Sequence, residues 1–216
     1  MPESKDLRRY APAAERNRAP ICSVLETVLP PEGTVLEIAS GTGQHAVFLA
    51  PRLAPRHWLP SDPNPTARAS VHSWLDTTSV DNLHLPLALD MTQPDWFQQV
   101  NTWQATEGKM APPITAIANI NMIHIAPWSA CEGLLTGAEV LLAEGGVLYL
   151  YGPFKQNGQH TASSNDAFDQ SLRSQNPEWG VRDLQAVATL AQAHQFQLHE
   201  TIAMPANNLS VVFIRQ

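Results

Sequence analysis

Short apolar runs alternate along this chain with segments whose apolar residues recur at helical spacing, a pattern typical of a parallel α/β sheet. The runs predict strands at Thr34–Ile38, His57–Ser61, Leu83–Leu89, Ile114–Ile120, Gly146–Tyr151, Gln197–Ala203 and Leu209–Arg215. The helical segments are predicted at Ala19–Leu29, Gly43–Ala54, Pro65–Thr77, Gln93–Trp103, Pro127–Leu142, Asn165–Ser174 and Asp183–Ala193. No internal repeat interrupts this alternation, so we expect a single domain over residues 1–216.

The end of the chain departs from the alternation. Only Met204–Asn208 separates the last two predicted strands. A connection this short cannot make the crossover that parallel strands need, so these strands should pair antiparallel. The sequence therefore predicts a doubly wound, Rossmann-like α/β fold whose seven-stranded, mostly parallel sheet ends in an antiparallel hairpin.

Composition narrows the class of partner. Hydrophobic residues make up 44% of the chain, enough for a sizeable core, and the formal net charge is −7. An acidic chain is a poor match for a long phosphate track, so extended nucleic-acid binding is disfavoured. Only 15% of the residues are charged, which leaves a monomer or a homodimer open.

Cysteine usage and hydropathy indicate the compartment. The cysteines, Cys22 and Cys131, have no Cys or His partner at zinc-ligand spacing, so we expect no metal and no disulfide framework. Met1–Tyr10 is charged and lacks the apolar core of a signal peptide. No apolar stretch reaches the roughly 18 residues that a membrane span needs. A cytoplasmic location without a membrane partner is expected.

The sharpest motif runs from the first predicted strand into a helix through Ala39–Gly43. Gly41 and Gly43 allow a sharp turn and a close approach of the backbone to a ligand, and the next helix offers free N–H groups there. With Ala46, these glycines also fit the loose dinucleotide fingerprint. Asp62, about 20 residues further on, ends the second strand, where a carboxylate can bind ribose hydroxyls or form a turn before Pro63.

Glu37 favours one adenosine cofactor over another. It lies in an otherwise apolar strand, where a buried carboxylate is costly unless it is paired. S-adenosylmethionine carries an ammonium and a sulfonium, whereas the pyrophosphate of a dinucleotide would be repelled. The alternative is a glutamate paired with a neighbouring arginine or the backbone.

Asp90 allows two interpretations. It ends the third predicted strand, where it can accept a hydrogen bond from an adenine amino group while Met91 packs on the ring. It can equally cap the segment that follows Thr92.

Together these features resemble the class I S-adenosylmethionine-dependent methyltransferases: Glu-x-x-x-Gly-x-Gly, an acid after strand two, an Asp after strand three and a closing hairpin. More narrowly, the chain resembles the methyltransferase-like family known as domain of unknown function 938. The segments that carry this resemblance are Ala13–Asn17, Leu36–His45, Asn121–Trp128, Tyr151–Phe154, Ser164–Asp169, Trp179–Asp183 and Met204–Leu209. The resemblance implies the fold and the cofactor, S-adenosylmethionine with S-adenosylhomocysteine as its product, but no particular acceptor.

Candidate site residues follow from this resemblance and from the rule that ligands bind beyond the carboxyl ends of the strands. Cofactor contacts are expected from Arg16, Asn17, Glu37, Ala39, Gly41, Gly43, His45, Asp62, Pro63, Asp90, Met91, Asn119 and Asn121. His124, Asn121 and Tyr151 are candidates for catalysis, with His124 as a base near neutral pH or as a packed histidine beneath the next helix.

Two segments are expected to frame the site: an N-terminal stretch of about residues 1–30 over the cofactor, and a lid of about residues 155–183. The predicted function is methyl transfer to a small-molecule acceptor. The alternatives are a binding module that keeps the cofactor site without transfer and, less favoured because of Glu37 and the hairpin, a nicotinamide oxidoreductase.

Overall fold

The computed structural model describes residues 6–216, which contain nine strands and seven α-helices. The strands are β1 (Thr34–Ile38), β2 (His57–Ser61), β3 (Ile114–Ile120), β4 (Val147–Gly152), β5 (Phe154–Gln156), β6 (Gln159–His160), β7 (Arg182–Asp183), β8 (Phe196–Met204) and β9 (Asn208–Arg215). The helices are α1 (Pro12–Val28), α2 (Gln44–Arg52), α3 (Pro65–Leu75), α4 (Phe97–Ala105), α5 (Trp128–Leu141), α6 (Ser163–Gln175) and α7 (Leu184–Ala193). The first five positions, where the predicted N-terminal segment begins, lie outside this range.

Six strands form the main sheet in the order β2-β1-β3-β4-β9-β8. β1 pairs in parallel with both β2 and β3, and β3 pairs in parallel with β4. β9 runs antiparallel to β4 and to β8, as the short final connection predicted. The fold class, a mostly parallel Rossmann-like sheet with an antiparallel hairpin, is therefore confirmed.

The third predicted strand, Leu83–Leu89, is not a regular strand, so the prediction of seven strands in the main sheet is wrong. The backbone of this segment pairs with β2 through isolated parallel bridges at Leu83 and Leu87. Two prolines that face this edge explain the loss, because neither Pro60 nor Pro86 has an N–H for the ladder. The hydrogen bonds resume with Leu87 N–H to Pro60 O at 3.0 Å and Asp62 N–H to Leu87 O at 3.0 Å.

Hydrophobic side chains cover both faces of the sheet. Because side chains alternate along a strand, Leu36 and Ile38 of β1 pack with α4, α5 and α7, while Val35 packs with α1 and α2 on the other face. All five residues of β1 are buried. The carboxyl end of β1 lies between those of β2 and β3, at the edge of the sheet where ligands bind in open α/β folds.

Helix starts differ most from the predictions. α1 begins at Pro12 rather than Ala19. Pro12 lies in the first turn, where a missing N–H costs no helical hydrogen bond, and Pro20 lies inside the helix. α4 begins at Phe97 rather than Gln93, after a turn at Asp90–Gln93. Within residues 6–216, no helix combines the length and the apolar character required to cross a bilayer.

Candidate cofactor site at the carboxyl edge of the sheet

The loop between β1 and α2 has an unusual backbone. Ala39, Gly41 and Gly43 all have left-handed φ angles, of 59°, 56° and 79°. Two glycines lower the cost of this path, which an ordinary residue such as Ala39 adopts only under strain. A β-carbon built on Gly41 would meet no atom within 4 Å. The loop therefore turns sharply and leaves open space beside its backbone, as the motif predicted.

Asp62 holds this loop in place from the end of β2. One carboxylate oxygen accepts from Gly41 N–H at 2.9 Å, and the other accepts from Asn64 N–H at 2.8 Å. Arg68 donates to the carbonyl of Asp62 at 2.8 Å and to that of Pro63 at 2.9 Å. The residue thus forms the turn that the sequence analysis considered, and it also shapes the glycine loop.

A cavity of about 480 Å³ opens beside this loop at the carboxyl ends of β1, β2 and β3. Five of the predicted cofactor residues line it: Ala39, Asp62, Pro63, Asp90 and Met91. The other lining residues are Ile38, Asn64, Leu89, Thr92, Met122, Ile125, Ala126, Pro127, Ala130 and Trp179. Carboxylates and apolar walls thus surround one space.

Asp90 agrees in part with the second of its two predicted roles, that of a cap. Its Oδ1 accepts from the backbone N–H of Thr92 at 2.9 Å and from the Thr92 hydroxyl at 2.7 Å. It therefore caps a turn rather than a helix. Within residues 6–216, Oδ2 receives no hydrogen bond, so this oxygen is free to accept one from a ligand in the cavity.

Glu37 is paired with neutral neighbours. The residue is 1% exposed, and its Oε2 accepts from Ser40 Oγ and from Trp58 Nε1, both at 2.9 Å. Burial raises its pKa from 4.5 to about 7, although these two hydrogen bonds act in the opposite direction. Neutral donors therefore satisfy part of the carboxylate. This arrangement weakens the inference that its burial by itself requires a cationic ligand.

A chain of polar side chains joins the N-terminal helix to the final hairpin. Asn17 Oδ1 lies 2.8 Å from Nε2 of His45, and the nearby side chain of Asn17 opposes the rise in the pKa of Tyr151 that burial causes. Asn208 donates to the hydroxyl of Tyr151 at 3.1 Å. Burial lowers the pKa of His45 to about 4 and raises that of Tyr151. At neutral pH this network is therefore uncharged.

The segment before α1 contacts the glycine loop through α3. Arg9 N–H donates to Ser70 Oγ at 2.9 Å, and this hydroxyl donates to the carbonyl of Thr42 at 2.8 Å. Ala11 N–H donates to the side chain of Gln44. Arg16, in contrast, is exposed and makes no hydrogen bond or ion pair with residues 6–216. Of these two predicted residues, Asn17 thus contacts another predicted site residue, His45, whereas the Arg16 side chain does not.

His124 is packed within the protein rather than open to a substrate. It is 0% exposed, its Nδ1 accepts from Arg182 N–H at 3.4 Å, and its ring meets Phe154 edge-on at 5.0 Å. Burial lowers its pKa to about 3. Since Nδ1 accepts, the neutral ring carries its proton on Nε2, which has no partner in the described chain. This geometry favours the packed histidine over the base.

The two asparagines after β3 differ in position. Asn119 is fully buried and donates from Nδ2 to Ile38 O at 3.2 Å, while its Oδ1 has no partner among residues 6–216. Asn121 has a left-handed φ of 68°, and its N–H donates to Tyr151 O at 2.8 Å. Asn119 therefore braces β1 against β3, and Asn121 lies at the carboxyl edge next to β4.

The family described as "Protein of unknown function (DUF938)" matches residues 8–215. The chain belongs to this family.

Solved structures show the same fold in methyltransferases. An O-methyltransferase family protein from Burkholderia thailandensis matches with a TM-score of 0.74 at 11% identity, over 94% of this chain and 58% of that one. Human N-acetylserotonin methyltransferase in complex with SAM matches with a TM-score of 0.71 at 12% identity, over 92% of this chain and 51% of that one. A methyltransferase in calicheamicin biosynthesis, in its SAH-bound form, matches with a TM-score of 0.69 at 11% identity, over 94% of this chain and 54% of that one.

This member of the family thus has the class I methyltransferase fold and spans 51% to 58% of the lengths of those three proteins. Sequence reasoning missed part of the cavity wall. Ile125, Ala126 and Pro127 follow a short 3-10 turn whose path a pattern of apolar residues does not reveal. Trp179 was predicted only as part of the lid of about residues 155–183, yet it lines the cavity. No group of three or more metal-ligating side chains occurs in the part of the chain that the structure describes.

We expect Glu37→Gln to stabilise the protein at pH 8 and to have little effect at pH 5. The folded pKa of Glu37 is about 7, above the unfolded value of about 4.3. Folding stability therefore falls as pH rises through this window, by on the order of 3 kcal/mol. Urea unfolding at both pH values measures the effect, with the exposed Glu144→Gln as control. A difference in unfolding free energy between Glu37→Gln and the wild type that is the same at pH 5 and pH 8 would contradict the raised pKa of Glu37.

We expect His45 and His124 to stay neutral between pH 8 and pH 5, because burial holds their pKa values at about 4 and about 3. Two-dimensional NMR of the ring nitrogens tests this, with His45→Gln and His124→Gln variants for assignment. The urea-unfolded chain, in which histidines titrate near pH 6.5, is the reference. A titration midpoint near pH 6.5 for His124 in the folded chain would contradict the lowered pKa and support His124 as a general base.

Proposed function

We propose that this protein is a methyltransferase that uses S-adenosylmethionine and acts on a small-molecule acceptor. One observation carries the proposal: Ala39 of the glycine loop, Asp62 and the Asp90–Met91 pair line a single cavity. The solved methyltransferases with the same fold support it, because two of them contain SAM or SAH.

The residues around the cavity suit an adenosyl group. Apolar side chains, among them Ile38, Met91 and Met122, offer surfaces for a flat ring. Asp62 and Asp90 supply carboxylate oxygens that accept hydrogen bonds from hydroxyl and amino groups. The open space beside Gly41 leaves room for the remainder of the cofactor. When bound, S-adenosylmethionine supplies an electrophilic methyl group on a positively charged sulfur.

The chain's own contribution to transfer is positioning. Asn121 and Tyr151 lie at the carboxyl ends of β3 and β4, where an acceptor can be oriented. His124 has a pKa of about 3, and the pKa of Tyr151 is raised, so neither is suited to take a proton at neutral pH. We therefore favour an acceptor that is already nucleophilic or releases its proton to water.

The alternative, a module that binds the cofactor without transfer, is supported by the same two pKa shifts. A binding measurement does not separate it from an enzyme, whereas a transfer assay does.

We expect Gly41→Val to weaken S-adenosylhomocysteine binding by at least about tenfold, because the side chain would fill the open space beside the loop. Gly145→Val is a matched control. Gly145 has a left-handed φ of 80° and no atom within 4 Å of a built β-carbon, but it lies before β4 at the opposite edge of the sheet. Calorimetric titration measures both. Equal affinities in the two variants would place the cofactor elsewhere.

We expect purified protein to transfer label from methyl-labelled S-adenosylmethionine to a component of a small-molecule metabolite extract. Chromatography of the products, with the Gly41→Val variant as the negative control, detects it. If the protein binds S-adenosylhomocysteine but yields no labelled product across extracts, the binding module is correct and the transferase is not.

A further inference from the structure

Trp179 reaches the cavity from the predicted lid rather than from the sheet. It lies in the connection between α6 and β7, on the segment Asn176–Arg182. It lines the same cavity as Asp90 and Met91, for which contacts to the adenine ring were predicted. Asn121, Tyr151 and His124, the candidates for catalysis, are not among the residues that line this cavity. The segment therefore supplies an aromatic side chain to the cavity of the predicted adenine contacts.

Arg182 fastens this segment to the cavity wall. Its Nε donates to Ile123 O at 2.8 Å and its Nη2 donates to Ala126 O at 2.5 Å. Gly180 N–H donates to His124 O at 2.9 Å. The guanidinium also lies 5.7 Å from the ring of Trp128, measured to its centroid. One half-buried arginine thus joins the Trp179 segment to the turn that carries Ile125, Ala126 and Pro127.

A buried carboxylate holds the segment from the other side. Asp169 of α6 accepts from Val181 N–H at 2.6 Å through Oδ1. Its Oδ2 accepts from Lys155 at 3.2 Å and from Arg173 at 3.1 Å. Trp179 is therefore flanked by contacts to two different elements and is not on a free loop. The backbone that follows Trp179 is thus held at the cavity wall by Gly180, Val181 and Arg182.

We propose that Trp179 packs on the adenosyl group and that Arg182 is the positioning residue that keeps it there. This inference rests on the proposed function, because it assumes that the cavity takes the cofactor. It assigns the 155–183 insertion to recognition of the adenine nucleoside rather than to acceptor binding. The cofactor site then includes a tryptophan from outside the strand ends, in addition to the glycine loop, Asp62 and Asp90.

The first experiment compares two ligands that share only the adenosyl group, adenosine and S-adenosylhomocysteine. Trp179→Ala should weaken the binding of both ligands by the same factor, about tenfold, as expected for the loss of an aromatic surface under a base. Trp179→Phe should keep most of the affinity. Trp103→Phe is the control, because Trp103 lies in α4 against His84 and Gly108, outside the cavity.

Fluorescence gives a second readout that a merely structural role would not change. Binding of S-adenosylhomocysteine should alter the tryptophan emission of the wild-type protein and of Trp103→Phe, and the change should vanish in Trp179→Phe. Arg182→Gln should reduce both the emission change and the affinity, with partial rescue by Arg182→Lys. Circular dichroism confirms that each variant is folded.

The outcomes separate this inference from the proposed function. If Trp179→Ala binds S-adenosylhomocysteine as tightly as the wild type, the role of Trp179 is wrong while the cofactor site stands. If the variant loses S-adenosylhomocysteine but keeps adenosine, Trp179 acts on the amino-acid end and the inference is overturned. If the folded wild-type protein binds neither ligand, the proposed function fails as well.

Discussion

The bond from Gly41 N–H to the carboxylate of Asp62 is the constraint on which the candidate site depends. It ties the loop after β1 to the end of β2, so the backbone turns away from the sheet and leaves open space at its edge. Ser40 strengthens the same junction, because its N–H donates to Ser61 O at 2.8 Å and its hydroxyl donates to Glu37. Two adjacent strand ends thereby act as one rigid unit, which is what a preorganised ligand site needs.

Burial reduces the charge of three titratable groups near this edge of the sheet. Glu37, whose pKa is raised to about 7, is only partly ionised at neutral pH, and burial keeps His45 and His124 neutral. A site of this kind recognises its ligand through shape, hydrogen bonds and a few carboxylate oxygens at the rim. Such a site suits a reaction in which the cofactor carries the reactive group and the protein mainly orients the reactants.

Much of the fold was predictable from the sequence, and β1, β2 and β3 have the predicted bounds because each is a short apolar run between turn residues. The segment Leu83–Leu89 also reads as such a run, but two prolines on the shared edge interrupt its pairing with β2. Its end still delivers Asp90 and Met91 to the cavity, so the site prediction does not depend on the missing strand. The short strands β5, β6 and β7 were missed because two or three residues carry no periodic pattern.

The sequence alone determined which local features follow the strands. These are a glycine turn after β1, acids after the next two apolar segments and a closing hairpin. These are properties of neighbouring residues, so pattern and residue chemistry suffice to find them. Only the tertiary structure decided how each polar group is satisfied. Glu37 is paired by Ser40 and by Trp58, which is 21 positions away, His124 is enclosed by Phe154 and Arg182, and Trp179 reaches the cavity from a distant insertion. Burial and partners arise from packing between remote segments, and these set pKa values and access.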